Sequence, residues 1–333
     1  MLVKVIKKAT FIKNLNIERT LPTNGTVTSR KGDKVEPFTK LGMAKYSYGL
    51  MRIDSSLRLA KGKNEDSYFY EGEKVGKVNG QNVYSPFNGN LFKQEDKYIL
   101  KQEERDFWLL AGVWGEVQSV VENRSVLVKS QCMDLALLAS TDFSYSGEFV
   151  VFPNPSELLE LQYIEKFARD VFGKIIYAGD YASYELISRA IELGALGVLA
   201  GSADRRGFVL AKKNSLFLGV FSGFGFIATP KPIYDRLKEI SNRYVFVQSG
   251  LPAQSGVLRI PVPGDFILSE LIKDAGNFVE LEKNMIVSVL QPPYFGYSGQ
   301  VTEIQGDEIY VKVFGREEES IMVKYPNLIV LDL

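Results

Sequence analysis

Histidine is absent from this 333-residue chain, and cysteine occurs once, as Cys132. The lack of histidine excludes Ser-His-Asp and Cys-His catalysis within the chain. Together the two exclude a disulfide framework and zinc sites that need histidine or several cysteines. Carboxylates remain available as oxygen ligands for magnesium or calcium, although no spacing predicts a metal site. Apolar residues flank Cys132 in KSQCMDLALL, which predicts a buried structural thiol.

An excess of charge of either sign is also lacking, because forty basic and forty acidic residues cancel. No field of the whole chain therefore attracts nucleic acid or anionic lipid. The uncharged apolar run from Asn214 to Pro230 is shorter than the roughly 20 residues of a spanning helix. The first 14 residues hold no apolar stretch of signal-peptide length. We expect a soluble, cytoplasmic protein without a membrane span.

The first third of the chain has frequent turn signals between short apolar runs. Gly32-Asp33-Lys34-Val35 and Gly72-Glu73-Lys74-Val75 repeat one turn pattern, and SPFNG at 85–89 is a second kind of turn. Residues 20–105 resemble the biotinyl/lipoyl-like barrel-sandwich hybrid domains, which implies a compact β fold. Carriers of that family present a lysine in an MKM or DKA context. Lys77 is the only lysine between Val75 and Ser85 and has neither context, so we predict a scaffold without a cofactor.

Two stretches, 112–130 and 291–313, share a pattern of glycines followed by alternating apolar residues, which predicts two similar β-hairpins. Gly112, Gly115 and Val117 in the first match Gly296, Gly299 and Val301 in the second. Residues 284–331 resemble a KOW-type SH3-like barrel, in which Gly299 would occupy the glycine that the motif requires. We assign a β-rich domain to 1–147, including an SH3-like hairpin at 107–130, and a KOW-like barrel to 263–333.

The resemblance to KOW barrels leaves two uses for the C-terminal residues open. Aromatic side chains could stack on bases beside basic groups, or they could dock on a protein or a neighbouring domain. Acidic residues outnumber basic ones in this stretch, which favours docking because phosphate contacts need positive charge. The candidate binding residues are Tyr294, Phe295, Tyr297, Lys312 and Lys324.

The middle of the chain, 148–262, alternates helical and apolar strand patterns, which predicts an α/β domain with a mainly parallel sheet. Helices are predicted within 156–172, in SYELISRAIELG and in PIYDRLKEI. Ligands of such sheets bind beyond the carboxyl ends of the strands. Six residues at those ends form a candidate ligand loop, although they also suit tight turns: Gly179, Asp180, Gly201, Ser202, Gly223 and Gly225.

No catalytic residues are predicted in this middle region. Asp180 with Ser202 or Asp204 would be the only hydrolytic pair, and no base partner is visible. The fold class is thus multidomain, α/β plus all-β. The first functional hypothesis is a non-enzymatic scaffold or adaptor that binds protein partners. The alternatives are a nucleic-acid-associated factor acting through the C-terminal barrel, and a small-ligand sensor or enzyme using the α/β domain.

Overall fold

The structure is a computed structural model that describes residues 1–47, 49–94, 97–151, 171–250, 256–264, 278–314 and 320–332. Its regular structure is mostly β-strand, arranged in several sheets. The described helices are α1 (Tyr184–Glu192), α2 (Arg205–Lys213) and α3 (Lys231–Glu239). No helix in these ranges has the length and apolar character needed to cross a membrane.

The strands before the central region are β1 (Leu2–Lys7), β2 (Ala9–Thr20), β3 (Thr26–Val27), β4 (Lys34–Val35), β5 (Lys40–Tyr46), β6 (Leu50–Ile53), β7 (Arg58–Leu59), β8 (Tyr68–Phe69), β9 (Lys74–Val78), β10 (Gln81–Tyr84), β11 (Gly89–Gln94), β12 (Lys97–Gln102), β13 (Arg105–Leu110), β14 (Gly115–Val121) and β15 (Ser125–Ala136). The later strands are β16 (Ala139–Ser140), β17 (Tyr145–Val151), β18 (Ile175–Tyr177), β19 (Tyr181–Ala182), β20 (Gly197–Ala203), β21 (Phe217–Phe224), β22 (Tyr244–Gln248), β23 (Val257–Val262), β24 (Phe278–Glu280), β25 (Ile286–Val289), β26 (Ser298–Gln305), β27 (Glu308–Val313), β28 (Ser320–Lys324) and β29 (Leu328–Asp332).

Residues 50–102 build two small sheets, ordered β6-β12-β11-β8 and β10-β9-β7. Gly32 and Gly72 have φ angles of 92° and 77°, which confirms that the two predicted turns need glycine. The β9–β10 hairpin turns at Asn79 and Gly80, both with positive φ. Lys77 lies on β9 between Asn82 and Arg58 of the neighbouring strands, so it is not at the hairpin tip. A core of apolar side chains holds this part together: Ile53, Leu57, Phe69, Val75, Leu91, Tyr98 and Leu100.

The largest sheet has twelve strands, ten of them in the order β16-β21-β20-β18-β17-β22-β23-β15-β14-β4, with β19 beside β20 and β2 beside β15. The pairs β17–β18, β18–β20 and β20–β21 are parallel, whereas β22, β23, β15, β14 and β4 pair antiparallel. The prediction of a mainly parallel sheet is therefore corrected to a mixed one. The reason is β15, whose twelve residues pair with both β2 and β23 and so continue the sheet into the N-terminal strands.

Successive residues of a strand point to opposite faces of its sheet, and both faces of the parallel strands are covered. Ile175 and Tyr177 pack with residues of α3 in one apolar core. Ile176 and Ala178 pack with residues of α1 and α2 in another. The helices predicted in SYELISRAIELG and PIYDRLKEI are confirmed as α1 and α3. The helix predicted within 156–172 lies almost wholly outside the described residues.

A sheet of seven strands follows the order β24-β1-β29-β25-β26-β27-β28. It brings the first strand of the chain beside the last one, because Val5, Ile6 and Lys7 pair in parallel with residues 330–332. Val3 and Val5 thereby join a core whose other side chains are C-terminal, such as Val287, Val301 and Val311.

The two hairpins that resemble each other in sequence have the same local irregularity. The β14–β15 pairing shifts register after Val117, and the β26–β27 pairing shifts after Val301, the residue matched to it. A Cβ on Gly115 or on Gly299 would collide with the carbonyl oxygen of the lysine on the facing strand. The requirement for glycine at position 299 is thus confirmed, and position 115 has the same one.

Candidate functional site

The predicted ligand loop lies at the carboxyl ends of β18, β20 and β21, where the chain itself crosses the edge of the sheet. Residues 225–230, here called the return loop, connect β21 to α3. A Cβ on Gly201 would lie 2.6 Å from the amide nitrogen of Thr229 and 2.8 Å from the carbonyl oxygen of Ile227. Glycine at position 201 therefore allows the return loop to lie directly against β20.

Two polar side chains of the predicted site hold the return loop in place. The Thr229 amide donates a hydrogen bond to Asp180 Oδ1, and the Ile227 amide donates one to Ser202 Oγ, each at 3.0 Å. Ser202 Oγ in turn donates to the carbonyl oxygen of Asp180 at 3.0 Å. The hydroxyl of the buried Ser202 is therefore hydrogen-bonded to other groups of the chain itself. Asp180 and Ser202 are thus brought together, and the structure gives them a common role in fixing a loop.

Three of the predicted glycines have positive φ angles at this edge of the sheet. Gly179, Gly223 and Gly225 have φ angles of 93°, 141° and 91°, a region that favours glycine. The amides of Gly201 and Ser202 donate to the carbonyl oxygens of Gly179 and Asp180 at 3.0 and 2.8 Å. They therefore point at neighbouring backbone, and a phosphate would have to displace those bonds.

A buried polar pair lies under the return loop. The Tyr177 hydroxyl donates a hydrogen bond of 2.6 Å to Thr229 Oγ1. Burial raises the pKa of Tyr177 well above its ordinary value, and the nearby Asp180 carboxylate adds to the rise. Burial also raises the pKa of Asp180, while the Thr229 amide opposes that rise. Burial thus disfavours the charged form of each group, which suits a loop anchor inside the protein.

Asp204 was considered above as a partner of Asp180 in a hydrolytic pair, but the structure gives it a different role. It is the N-cap of α2, where its Oδ1 accepts a hydrogen bond of 2.7 Å from the Arg206 amide. Its Oδ2 also pairs with the Arg206 guanidinium at 2.9 Å. These bonds, with the Arg206 side-chain bond first, lower the pKa of Asp204. Asp204 is thus a helix cap in a local ion pair, and the structure gives it no serine or water-activating partner among the described residues.

Four aromatic residues that the sequence patterns did not single out surround this edge; we call them the aromatic patch: Tyr181, Tyr184, Phe224 and Phe226. Phe224 and Phe226 are 46% and 70% exposed. Phe226 stacks on Tyr181 with ring centroids 4.1 Å apart, and Phe224 meets Phe208 edge-on at 5.5 Å. A signal was available in SGFGF, where two phenylalanines alternate with glycines at the end of a buried strand and so have no core to enter.

The aromatic residues predicted in the C-terminal region approach this same edge. The rings of Tyr294 and Tyr297 lie 6.1 Å apart and pack on the core of the seven-stranded sheet. The Tyr297 hydroxyl donates a hydrogen bond of 3.2 Å to the carbonyl oxygen of Phe226. Phe295 remains 63% exposed. These residues therefore attach the seven-stranded sheet to the return loop, and only Phe295 offers a ring mainly to solvent.

The two predicted lysines belong to the same seven-stranded sheet. Lys312 lies on β27 and Lys324 lies on β28. Lys324 faces Glu308 across the strand pair, and Lys312 lies between Gln300 and Ser320. Because Ser320 and Lys324 are four residues apart on β28, the two lysines are separated by about 13 Å along the strands. Exposed Glu303, Glu308 and Asp307 are on the same strands and their turn. The lysines therefore do not form a concentrated basic surface.

No protein-family model matches this chain, and no curated protein matches its sequence. Among the residues that the structure describes, no three carboxylate or thiol side chains come together as metal ligands.

Proposed function

We propose that this chain is a non-enzymatic scaffold or adaptor that binds a protein partner through the aromatic patch. The observation that carries the proposal is the exposure of Phe224 and Phe226 at the end of an otherwise buried strand. Exposed apolar surface rimmed by polar groups is typical of protein-binding sites, and aromatic residues are enriched at their centres.

The patch is held in one arrangement before any partner arrives, which supports this use. Phe226 is fixed on three sides: its ring stacks on Tyr181, its carbonyl accepts from Tyr297, and the next amide, that of Ile227, donates to Ser202. A side chain that is already ordered loses less conformational entropy on binding. Rigid aromatic residues of this kind are those that most often contribute large binding energies.

The charges around the patch favour a protein over a nucleic acid. Arg206 lies 5.7 Å from the ring centroid of Tyr184, but its guanidinium is paired with Asp204. The exposed Glu185 follows Tyr184 directly. Because one positive and two negative charges lie here, the patch lacks the local positive field on which phosphate binding depends. We propose that the partner presents aliphatic or aromatic side chains to this surface.

We further propose the finer domain classes that the sequence patterns predict. The antiparallel order β25-β26-β27-β28, with β29 beside β25, supports a KOW-type SH3-like barrel. The two small sheets around Phe69 support a barrel-sandwich hybrid used as a scaffold. Parallel strands with helices on both faces support an α/β unit between them. The single free thiol, buried at Cys132, suits the reducing conditions of the cytoplasm.

The proposal is tested by capture from a lysate of the source cells with tagged wild type and with the double variant Phe224→Ser, Phe226→Ser. Phe278→Ser is the matched control, since Phe278 is also an exposed phenylalanine but lies on the edge strand β24. Each sample is treated with nuclease or left untreated, and circular dichroism checks that every variant is folded.

We expect one protein to be retained by wild type and by the control, with or without nuclease, and to be reduced at least about tenfold on the double variant. Equal retention by the double variant would place the interface elsewhere. Recovery that disappears with nuclease would instead favour the nucleic-acid alternative and the lysines Lys312 and Lys324.

A further inference from the structure

An apolar cavity of about 190 Å³ lies between the seven-stranded sheet and the end of β21. Phe221 and Pro230 form one wall, and Leu290, Ile329 and Leu331 form the other. The exposed side chains of Leu138 and Phe295 also line it, so the cavity is open to solvent there. An engineered apolar cavity of about 150 Å³ accepts benzene, so this space has room for a small ring or a short alkyl chain.

One wall of this cavity carries a cation. Lys8 is half-buried there, and burial lowers the pKa of its ammonium group. Its backbone is fixed, because its amide donates to the carbonyl oxygen of Asp332 at 2.6 Å and its carbonyl accepts from the Ala136 amide at 2.8 Å. No described residue forms an ion pair or a hydrogen bond with the ammonium group itself. A cation in apolar surroundings without a counter-charge is costly, and an anion placed beside it removes part of that cost.

Two hydroxyl groups of the same wall are also without partners. Ser288 and Ser298 face each other across β25 and β26, and both line the cavity. No described residue makes a hydrogen bond with either hydroxyl. Ser222, the third serine, already donates to the Ala228 carbonyl oxygen at 2.9 Å. The cavity thus combines apolar walls, one cation and two available hydroxyl donors, which is the composition of a small-ligand site.

We propose that this cavity binds a small organic monocarboxylate, with its apolar body between Phe221 and Leu290 and its carboxylate on the Lys8 ammonium group. One cation matches one negative charge. A phosphate group, with more charge, is bound in proteins by several cations or by a series of backbone amides, and the cavity lining supplies neither. The site is separate from the aromatic patch, so it does not depend on the scaffold function.

The test uses the full chain with benzoate as the probe and benzyl alcohol as its uncharged counterpart. Binding is measured by saturation-transfer NMR titration, with a dissociation constant for benzoate expected on the order of 1 mM for a ligand of this size. Lys8→Met keeps the apolar stem and removes the charge. Lys4→Met is the matched control, since Lys4 is an exposed lysine on the same N-terminal segment. Ser288→Leu fills the cavity from its wall.

We expect Lys8→Met to weaken benzoate binding at least about tenfold and to leave the weak binding of benzyl alcohol unchanged. Lys4→Met should bind both probes as wild type does, and Ser288→Leu should lose both. The proposal is overturned if benzoate gives no saturable signal, or if Lys8→Met and Lys4→Met bind it equally. It is also overturned if a folded Ser288→Leu protein, checked by its melting temperature, keeps benzoate binding.

Discussion

Arg259 and Asp134 lie directly opposite each other on β23 and β15 and are joined by two hydrogen bonds of 2.8 Å each. Their side chains are only 14% and 11% exposed. The hydrogen bonds to Asp134 raise the pKa of Arg259 further above its usual value, so the guanidinium is charged at every accessible pH. This ion pair fixes the register at the point where the N-terminal strands meet the central ones.

We predict that Asp134→Ala lowers the free energy of unfolding by about 3–5 kcal/mol, because it leaves the Arg259 charge buried without a partner. Urea unfolding followed by circular dichroism measures the effect. The double variant Asp134→Leu, Arg259→Leu should recover most of the loss, since apolar residues can replace a buried pair. A single variant as stable as wild type would mean that solvent reaches the guanidinium.

Gly201→Ala should destabilise the protein by about 1–3 kcal/mol, since the added Cβ overlaps backbone atoms of the return loop. Gly264→Ala is the matched control, because a Cβ at Gly264 meets no atom within 4 Å and its φ is not positive. Thermal unfolding compares the two. Equal melting temperatures would show that the return loop moves away from β20 without cost.

Asp180→Asn should make the protein more stable at neutral pH. Because burial raises the pKa of Asp180, the folded state binds more protons than the unfolded state between the two pKa values. Stability is therefore lost as the pH rises through that window, and the ionised carboxylate is unfavourable at pH 7. An asparagine oxygen still accepts from the Thr229 amide.

The pH dependence separates this explanation from a simple change in packing. Unfolding free energies of wild type and of Asp180→Asn should differ at pH 7 and converge below about pH 3, where the carboxyl is protonated in both states. A difference that is constant with pH would contradict an origin in the ionisation of Asp180.

Cys132 should not react with thiol reagents while the protein is folded. It has no exposed surface, and burial raises its pKa to about 12, so almost no thiolate is present near neutral pH. Iodoacetamide labelling followed by mass spectrometry should modify the protein only in denaturant. Rapid labelling of the native protein would reveal an opening of β15.

Helix α2 illustrates where sequence patterns stop being sufficient. No helix was predicted there, and Gly207 lies inside it, where glycine is unfavourable by about 1 kcal/mol relative to alanine. The structure supplies the reason for the glycine, because a Cβ at Gly207 would collide with the side chain of Ile187 on α1. In contrast, α1 could be predicted, since Ser183 caps it and Gly194 follows its end with positive φ.

By itself the sequence determined local features: the turns at Gly32 and Gly72, the alternating strands, two of the helices and the buried Cys132. These follow from backbone sterics and from the spacing of apolar residues, which act over a few positions. Only the tertiary structure decided which strands pair and which surfaces meet. It placed the first strand beside the last, the return loop over Gly201, and Lys8 beside a cavity lined by residues more than 200 positions away. Such contacts depend on which apolar faces bury each other, and residue spacing along one chain does not specify that choice.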